Sequence, residues 1–499
     1  MRQTLQPWLL AALLFAAGLA LFTRANAFPF YYHPDEPVKV AQIQTGQWNF
    51  HHPMLLLSTA RLAVGALGGA ENPQHVVEVG RWVSAAFAAA AVALLAAAVW
   101  SIAGRFAGIA AGLLLLSNHQ FFELAHYFKE DTALLFGMSA WLLGLALYSK
   151  RPHWTTAALV GAGAALAVSG KYIGVFAPLL SLWFVPRYAQ AGQKTTGLGG
   201  FIGAFVAVFV LVNLPMLLQL ATFESSFHRE LGFVVEGQRG MTRSVPHTAY
   251  LNAFRDNVAA LWLLLGVALW NAWRRRRELT ALEWLLLLFP WVYMAVLSFS
   301  PKSHDRYFLP ATALFLCAAA LGVDALRTSW CRRAVPLLLA FLVLLQMAGM
   351  PRHDTLSYYR AFQNDDRAEL AAWLNAQHPT AVLAQDRRTL LPTQSRGKTL
   401  PGQPALQARV IDEPLEKIAD MAALRAAGVT LAALCQDDFG KYDLISQRPQ
   451  RGTEQAYQQT SAFYRALREG RKPLWERPRG LVLYLHPGLK VYDLPPERK

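Results

Sequence analysis

Hydrophobic positions along this chain gather in long, almost charge-free runs separated by short basic links. Trp82–Ile102, Leu198–Leu220 and Trp284–Phe299 are the clearest. A bilayer core about 30 Å thick takes roughly 20 apolar residues at about 1.5 Å of helical rise each. By that measure the pattern predicts about eleven spans, over 7–30, 76–103, 105–124, 131–149, 154–169, 171–186, 198–220, 255–273, 283–299, 308–326 and 334–350. At the start, Arg2, the run Trp8–Phe22 and Ala25-Asn26-Ala27 also fit a cleavable signal peptide. An uncleaved first span is the reading adopted, because an apolar run this near the start of a multi-spanning chain usually forms its first helix.

With the N-terminus inside, Lys150 and Arg151, Arg187 and Lys194, Arg274–Arg277, and Arg327 with Arg332 and Arg333 all fall on the inner side. That is the positive-inside pattern. The outward segments are then 31–75, 125–130, 170, 221–254 and 300–307, and everything after Met350 lies outside. No internal repeat is evident, which does not favour the inverted-repeat plan of many transporters.

Composition agrees: 54% of residues are hydrophobic and 16% charged, where soluble domains carry roughly 25% charge. The net charge of +15 sits in links between spans, and no basic face interleaved with aromatics marks a nucleic-acid binder. Cys317, Cys331 and Cys435 have no metal-ligand spacing and imply no disulfide framework. After Met350 the pattern changes to that of a small α/β domain, 351–499, following a membrane part of 1–350. Asp366–Gln377 and Thr460–Glu469 read as helices, and 380–384, 429–434, Leu481–Leu485 and Leu489–Leu494 as strands. A capping or acceptor-facing role is expected of it.

Candidate chemistry lies in the outward segments. Asp35 and Glu36, flanked by Pro34 and Pro37, follow the first span. The prolines stop that helix from continuing, and a carboxylate there can serve as a general base or hold a metal. Lys129, Glu130 and Asp131 stand between the third and fourth spans; for Lys129 a snorkelling role is the simpler reading. Lys171 lies between two apolar segments, where a charge is costly and usually has a partner. Lys302, His304, Asp305 and Arg306 crowd one short outward link. Acids and bases on one face suit a site that holds an anionic lipid head group and deprotonates an acceptor. The segment Phe223–Tyr250 carries Glu224, His228, Arg229, Glu230, Glu236, Arg239 and Arg243 with a Gly-Gln-Arg-Gly turn. It reads either as a lid or as a solvated amphipathic helix, and a lone His228 is a poor metal signal.

The loop DEPVKVAQIQTGQWNFHHPMLL resembles the first outward loop of GT-C glycosyltransferases of the protein O-mannosyltransferase and aminoarabinose-transferase type. His52-Pro53 matches that family's His-Pro, while Met54 replaces its second proline. KEDTALLF resembles the second acidic site, with Asp131 the matching residue; SGKYIGV resembles the lysine segment, with Lys171; HDRYFLP resembles the Arg-Tyr-x-x-Pro segment, with Arg306 and Tyr307. The resemblance implies a polytopic helical membrane protein with a small periplasmic α/β domain, set in the bacterial inner membrane. It implies an inverting transfer of sugar from a polyprenyl-phosphate carrier to a hydroxyl acceptor on a lipid, glycan or protein. Asp35 would be the base and Glu36 its support. Asp131, His52 and Tyr307 would shape the substrate site, and Lys171, Arg306 and His304 would neutralise the leaving phosphate. Some relatives use a divalent cation (Mg or Mn) and others none, and Asp35 with Glu36 is compatible with either. The rival classes are a transporter or flippase of a lipid-linked substrate, which predicts charges at the bilayer midplane, and an assembly scaffold.

Overall fold

The computed structural model describes residues 2–189, 193–236, 246–300, 302, 304–329, 332–350, 352–393, 404–442 and 454–494. The chain divides into two compact units, one of 1–26 with 34–357 and one of 27–33 with 358–499.

The first unit is helical. Its elements are α1 (Arg2–Phe22), α2 (Glu36–Thr45), α3 (Leu55–Leu67), α4 (Pro73–Ala103), α5 (Arg105–Leu116), α6 (His119–Ala125), α7 (Glu130–Lys150), α8 (Trp154–Gly170), α9 (Phe176–Tyr188) and α10 (Lys194–Leu218). There follow α11 (Leu220–Glu236), α12 (Pro246–Val258), α13 (Trp262–Arg274), α14 (Ala281–Leu297), α15 (Leu309–Ser329) and α16 (Ala334–Leu344). All eleven apolar runs fall on helix. Among the described residues four helices are long and apolar enough to cross a membrane: Pro73–Ala103, Glu130–Lys150, Lys194–Leu218 and Asp305–Arg327. A fifth counts if the pair Thr248–Val258 and Trp262–Arg274, bent by 95°, is one span. The other runs give helices of 10–17 residues.

Local breaks shorten several of these helices. The first helix stops at Phe22, not at residue 30, and Ala25 takes a left-handed φ of 61°. The third run is cut at Ser117–Asn118, where the Asn118 side chain caps α6. The sixth begins as a 3-10 turn, Tyr172–Val175, before α9. The segment 31–75, read from the sequence as a loop between spans, carries α2 and α3.

Small residues set the packing around the site. α7 lies along α8, with α4 and α10 on their flanks. A Cβ at Gly163 would sit 2.3 Å from the Trp141 nitrogen, and one at Gly137 only 2.2 Å from that of Ala167. Backbones that close leave no room for side chains.

The second unit holds a five-stranded sheet in the order β2-β1-β3-β5-β4. After α17 (Thr355–Phe362) and α18 (Asp366–Gln377) come β1 (Val382–Gln385), β2 (Arg409–Val410), α19 (Leu415–Ile418), α20 (Met421–Ala426) and β3 (Leu431–Cys435). The unit ends with α21 (Gln436–Phe439), α22 (Glu454–Arg468), β4 (Trp475–Arg479) and β5 (Pro487–Asp493). β1 runs parallel to β2 and β3, while β5 is antiparallel to β3 and β4. The expected helix Asp366–Gln377 matches α18, which Asp365 caps. The run Leu481–Leu485, expected as a strand, is the turn between β4 and β5. Its Val482 and Leu485 are buried, and the Leu485 and Tyr484 carbonyls accept from Asp366 N and Arg367 Nη1. The strand is instead Trp475–Arg479, whose Pro478 is tolerated because β4 is an edge. The segment 27–33 packs within this unit: Tyr32 donates to Asp365 at 2.7 Å, and Arg367 lies over the Tyr32 ring at 4.3 Å.

Candidate active site

Pro34 and Pro37 bracket the start of α2, with Asp35 at the cap position and Glu36 the first helical residue. The two acids part company there. Glu36 is wholly buried, and Arg81 of α4 grips it through Nε at 3.0 Å and Nη2 at 2.6 Å. The Phe128 N–H also donates to it at 2.9 Å, and Arg81 Nη1 donates to the Asn26 carbonyl at 2.7 Å. Asp35 does not cap the helix; its side chain is 45% exposed and pairs with Lys129. The pair is therefore no ligand set for a divalent cation. Both Glu36 oxygens are taken, and Asp35 faces an ammonium group.

Lys129 is not a snorkelling residue: it is buried, at the cap position of α7. Glu130 and Asp131 occupy the first turn, where the helix dipole favours carboxylates. These three consecutive residues meet partners from three different segments. Lys129 pairs with Asp35, Glu130 with Lys39 one turn further along α2, and Asp131 with Lys171 at 2.6 Å. Asp131 Oδ2 is buried with no hydrogen-bond partner among the described residues. His52 Nε2 stands 3.8 Å from Glu130.

Lys171 ends α8 with extended backbone, which turns its ammonium over the Tyr307 ring, 4.2 Å from the centroid. The Arg306 guanidinium lies 5.4 Å from the same ring, and His304 packs edge-on against it. Two cations and a histidine thus meet at Tyr307, and Asp131 holds one of the cations. Burial, then Arg306, Lys129 and Lys171, push His304 down to about 4. Burial takes His52 to about 3, although Glu130 opposes this. Both are neutral imidazoles at ordinary pH, so His304 can donate a hydrogen bond to a phosphate but adds no charge. The structure brings together Asp35, Asp131, Lys171, Arg306, Tyr307, His304 and His52 around the start of α7, while Glu36 is turned into the packing behind them.

Sequence reasoning missed Arg81 and Lys39. Arg81 lies within a predicted span, where an arginine asks for a partner. Lys39 lies four residues after Asp35, on the same helix face. Met54 explains its own departure from the family pattern: its N–H donates to Asn213 Oδ1 at 3.1 Å, a bond proline cannot make. Asn213, at a non-helical kink in α10, also donates to Ser169 at 2.6 Å. Farther along the chain, α11 is an amphipathic helix. His228 and Glu224 are exposed on it, 3.9 Å apart, and no group of three metal-capable side chains occurs among the described residues. The Gly-Gln-Arg-Gly turn, with Arg239 and Arg243, lies outside the described residues.

The family model for dolichyl-phosphate-mannose-protein mannosyltransferase matches residues 63–230. That stretch holds Lys129, Asp131 and Lys171 but neither Asp35 nor Arg306. No curated protein sequence matches the chain. Among solved structures, ArnT from Cupriavidus metallidurans in the apo state is similar at TM-score 0.53 and 14% identity, over 99% of this chain and 98% of that one. The Archaeoglobus fulgidus oligosaccharyltransferase, solved with zinc and sulfate, gives TM-score 0.51 and 14% identity over 87% and 68%. Against the S. cerevisiae protein O-mannosyltransferase Pmt1-Pmt2 complex the match covers 45% of this chain but only 34% of that one, at 15% identity and TM-score 0.36. The fold is that of the GT-C membrane glycosyltransferases. Residues 63–230 are similar to the dolichyl-phosphate-mannose-protein mannosyltransferase family.

Proposed function

We propose that this protein is an inverting glycosyltransferase that moves a hexose or pentose from a polyprenyl-phosphate carrier to a hydroxyl acceptor. The site and the 351–499 domain would face the periplasm from a bacterial inner membrane. One observation carries the reading: half-exposed Asp35 and the Lys171–Tyr307–Arg306 cluster flank the same helix start. A base and an anion-binding group are thereby set on either side of one point. The family match and the fold support a transferase over a flippase, and apart from Arg81 inside α4 the charges of the site gather at helix starts and links.

In the proposed reaction the acceptor oxygen attacks the anomeric carbon and its proton passes to the Asp35 carboxylate. The bond from that carbon to the phosphate oxygen breaks, leaving its electron pair on the lipid phosphate. Lys171 and Arg306 stabilise that charge, which matters most where water is scarce. Lys129 aims the Asp35 carboxylate through their ion pair. Glu36 acts at one remove, fixing the start of α2 through Arg81. Asp131 orients Lys171 and leaves Oδ2 to accept from the substrate.

The test is transfer from lipid-linked donors in membranes carrying D35N. Proton transfer by a positioned base is worth about 10²–10⁴-fold, so a loss of that size with normal expression and donor binding is expected. Full activity in D35N would remove Asp35 from the role of base.

A further inference from the structure

Helix α11 touches three segments of the site, each one or two residues away from a side chain already placed there. Glu230 accepts Lys302 Nζ at 2.6 Å, two residues before His304. Its other oxygen lies 3.6 Å from His51 Nδ1, next to His52. Phe227 packs edge-on against Tyr172, next to Lys171, at 5.2 Å between centroids. Tyr172 in turn donates to the Phe50 carbonyl at 2.9 Å, closing the link to the His51–His52 segment. Two more contacts reinforce the Lys302 side: Ser300 Oγ donates to the Val234 carbonyl at 2.9 Å, and Lys302 lies 5.6 Å from the Phe233 ring centroid. Glu230 and Lys302 are both largely buried, with side chains 15% and 14% exposed. At that exposure an ion pair is far less screened than one on the surface.

We infer that α11 is the positioning element of the lipid-phosphate site and that Glu230 is its positioning residue. This rests on the transferase reading for the identity of the ligand. Glu230 touches no reacting atom. By tying Lys302 to α11 it fixes the link that carries His304 and Arg306, while Phe227 fixes the approach to Lys171 through Tyr172. Losing the pair lets the cations spread, and a spread cation cluster binds phosphate less well.

The experiment measures equilibrium binding of undecaprenyl phosphate to the full chain in lipid nanodiscs, for wild type, E230Q, K302Q and the swap E230K/K302E. Each single variant is expected to raise Kd about tenfold, and the swap to bring it back to within about threefold of wild type, as pair-specific coupling requires. A residue that merely stabilised the fold would lower Tm without this rescue. An unchanged Kd in E230Q and K302Q, a swap no better than either, or a wild type that does not bind the lipid would each overturn the inference. Binding is read without transfer. A chain that binds with this dependence yet transfers no sugar would sink the transferase reading and leave the positioning role standing.

Discussion

Asp35 and Lys129 form an ion pair between residues 94 positions apart, one partly open to solvent and the other buried. In the proposed reaction this asymmetry would leave a face of the carboxylate open to the acceptor while its counter-ion stays sheltered. Burial, then Arg306 and Lys39, lower the Lys129 pKa to about 8, against the pull of Asp35 and Glu130.

Above about pH 8 Lys129 therefore loses its proton and Asp35 its partner. Transfer is expected to decline there, while stability does not. The folded pKa lies below the unfolded value of about 10.4, so deprotonation relieves a folded-state cost and stability rises between those limits. K129R keeps its charge and should lose the alkaline decline. A pH–rate profile of the two proteins decides it; identical profiles would separate Lys129 from the base.

Glu36 and Arg81 are fully buried, and removing one member strands the other. R81A is expected to cost about 3–5 kcal/mol of stability. Replacing both residues by apolar ones of similar volume should cost much less. Thermal unfolding in detergent gives the comparison, and a double variant no better than R81A would show that the pair's geometry matters more than its charge.

G163V forces a branched side chain onto the α7 backbone. Neither partner can move aside, because the contact runs from backbone to backbone. Overpacking alone costs about 1–3 kcal/mol, and here we expect loss of monodisperse protein, read by size-exclusion chromatography. Normal yield and Tm would mean that the helices separate freely.

In the second unit, His486 lies between two acceptors, Asp366 Oδ1 and the Ala361 carbonyl, each at 2.8 Å. Burial disfavours the imidazolium, but the Asp366 carboxylate and the Ala361 carbonyl outweigh it and raise the pKa. A raised folded value gives stability that is complete below the unfolded pKa of about 6.5 and lost as pH rises through the folded value. Hydrogen exchange at the start of α18 should quicken from pH 6 to 8 beyond the intrinsic rate, and this excess should vanish in H486Q.

Much of this was legible from runs and spacings. The apolar runs located the helices, the DRAELAAWLNAQ period located α18 to the residue, and four motifs in order pointed to one cluster. Partners were harder. Nothing local says that Glu36 turns inward to Arg81 while its neighbour Asp35 turns out. Which way each points depends on the angle at which α2 meets α4, a tertiary quantity. Helix boundaries were harder for a similar reason: hydropathy is blind to a capping Asn118 or a kink at Asn213 inside an apolar run. Leu481–Leu485 misled because a buried turn and a buried strand carry the same residues.

Residues 129–131 also share a single index. Consecutive positions at a helix start point about 100° apart around the axis, so one short sequence addresses three directions at once. A substitution there breaks one pairing, but inserting a residue between Phe128 and Lys129 would misalign all three together. The start of α7 thus behaves like a keyed connector. Its tolerance to point changes and its intolerance to length changes should differ more sharply than anywhere else in the unit.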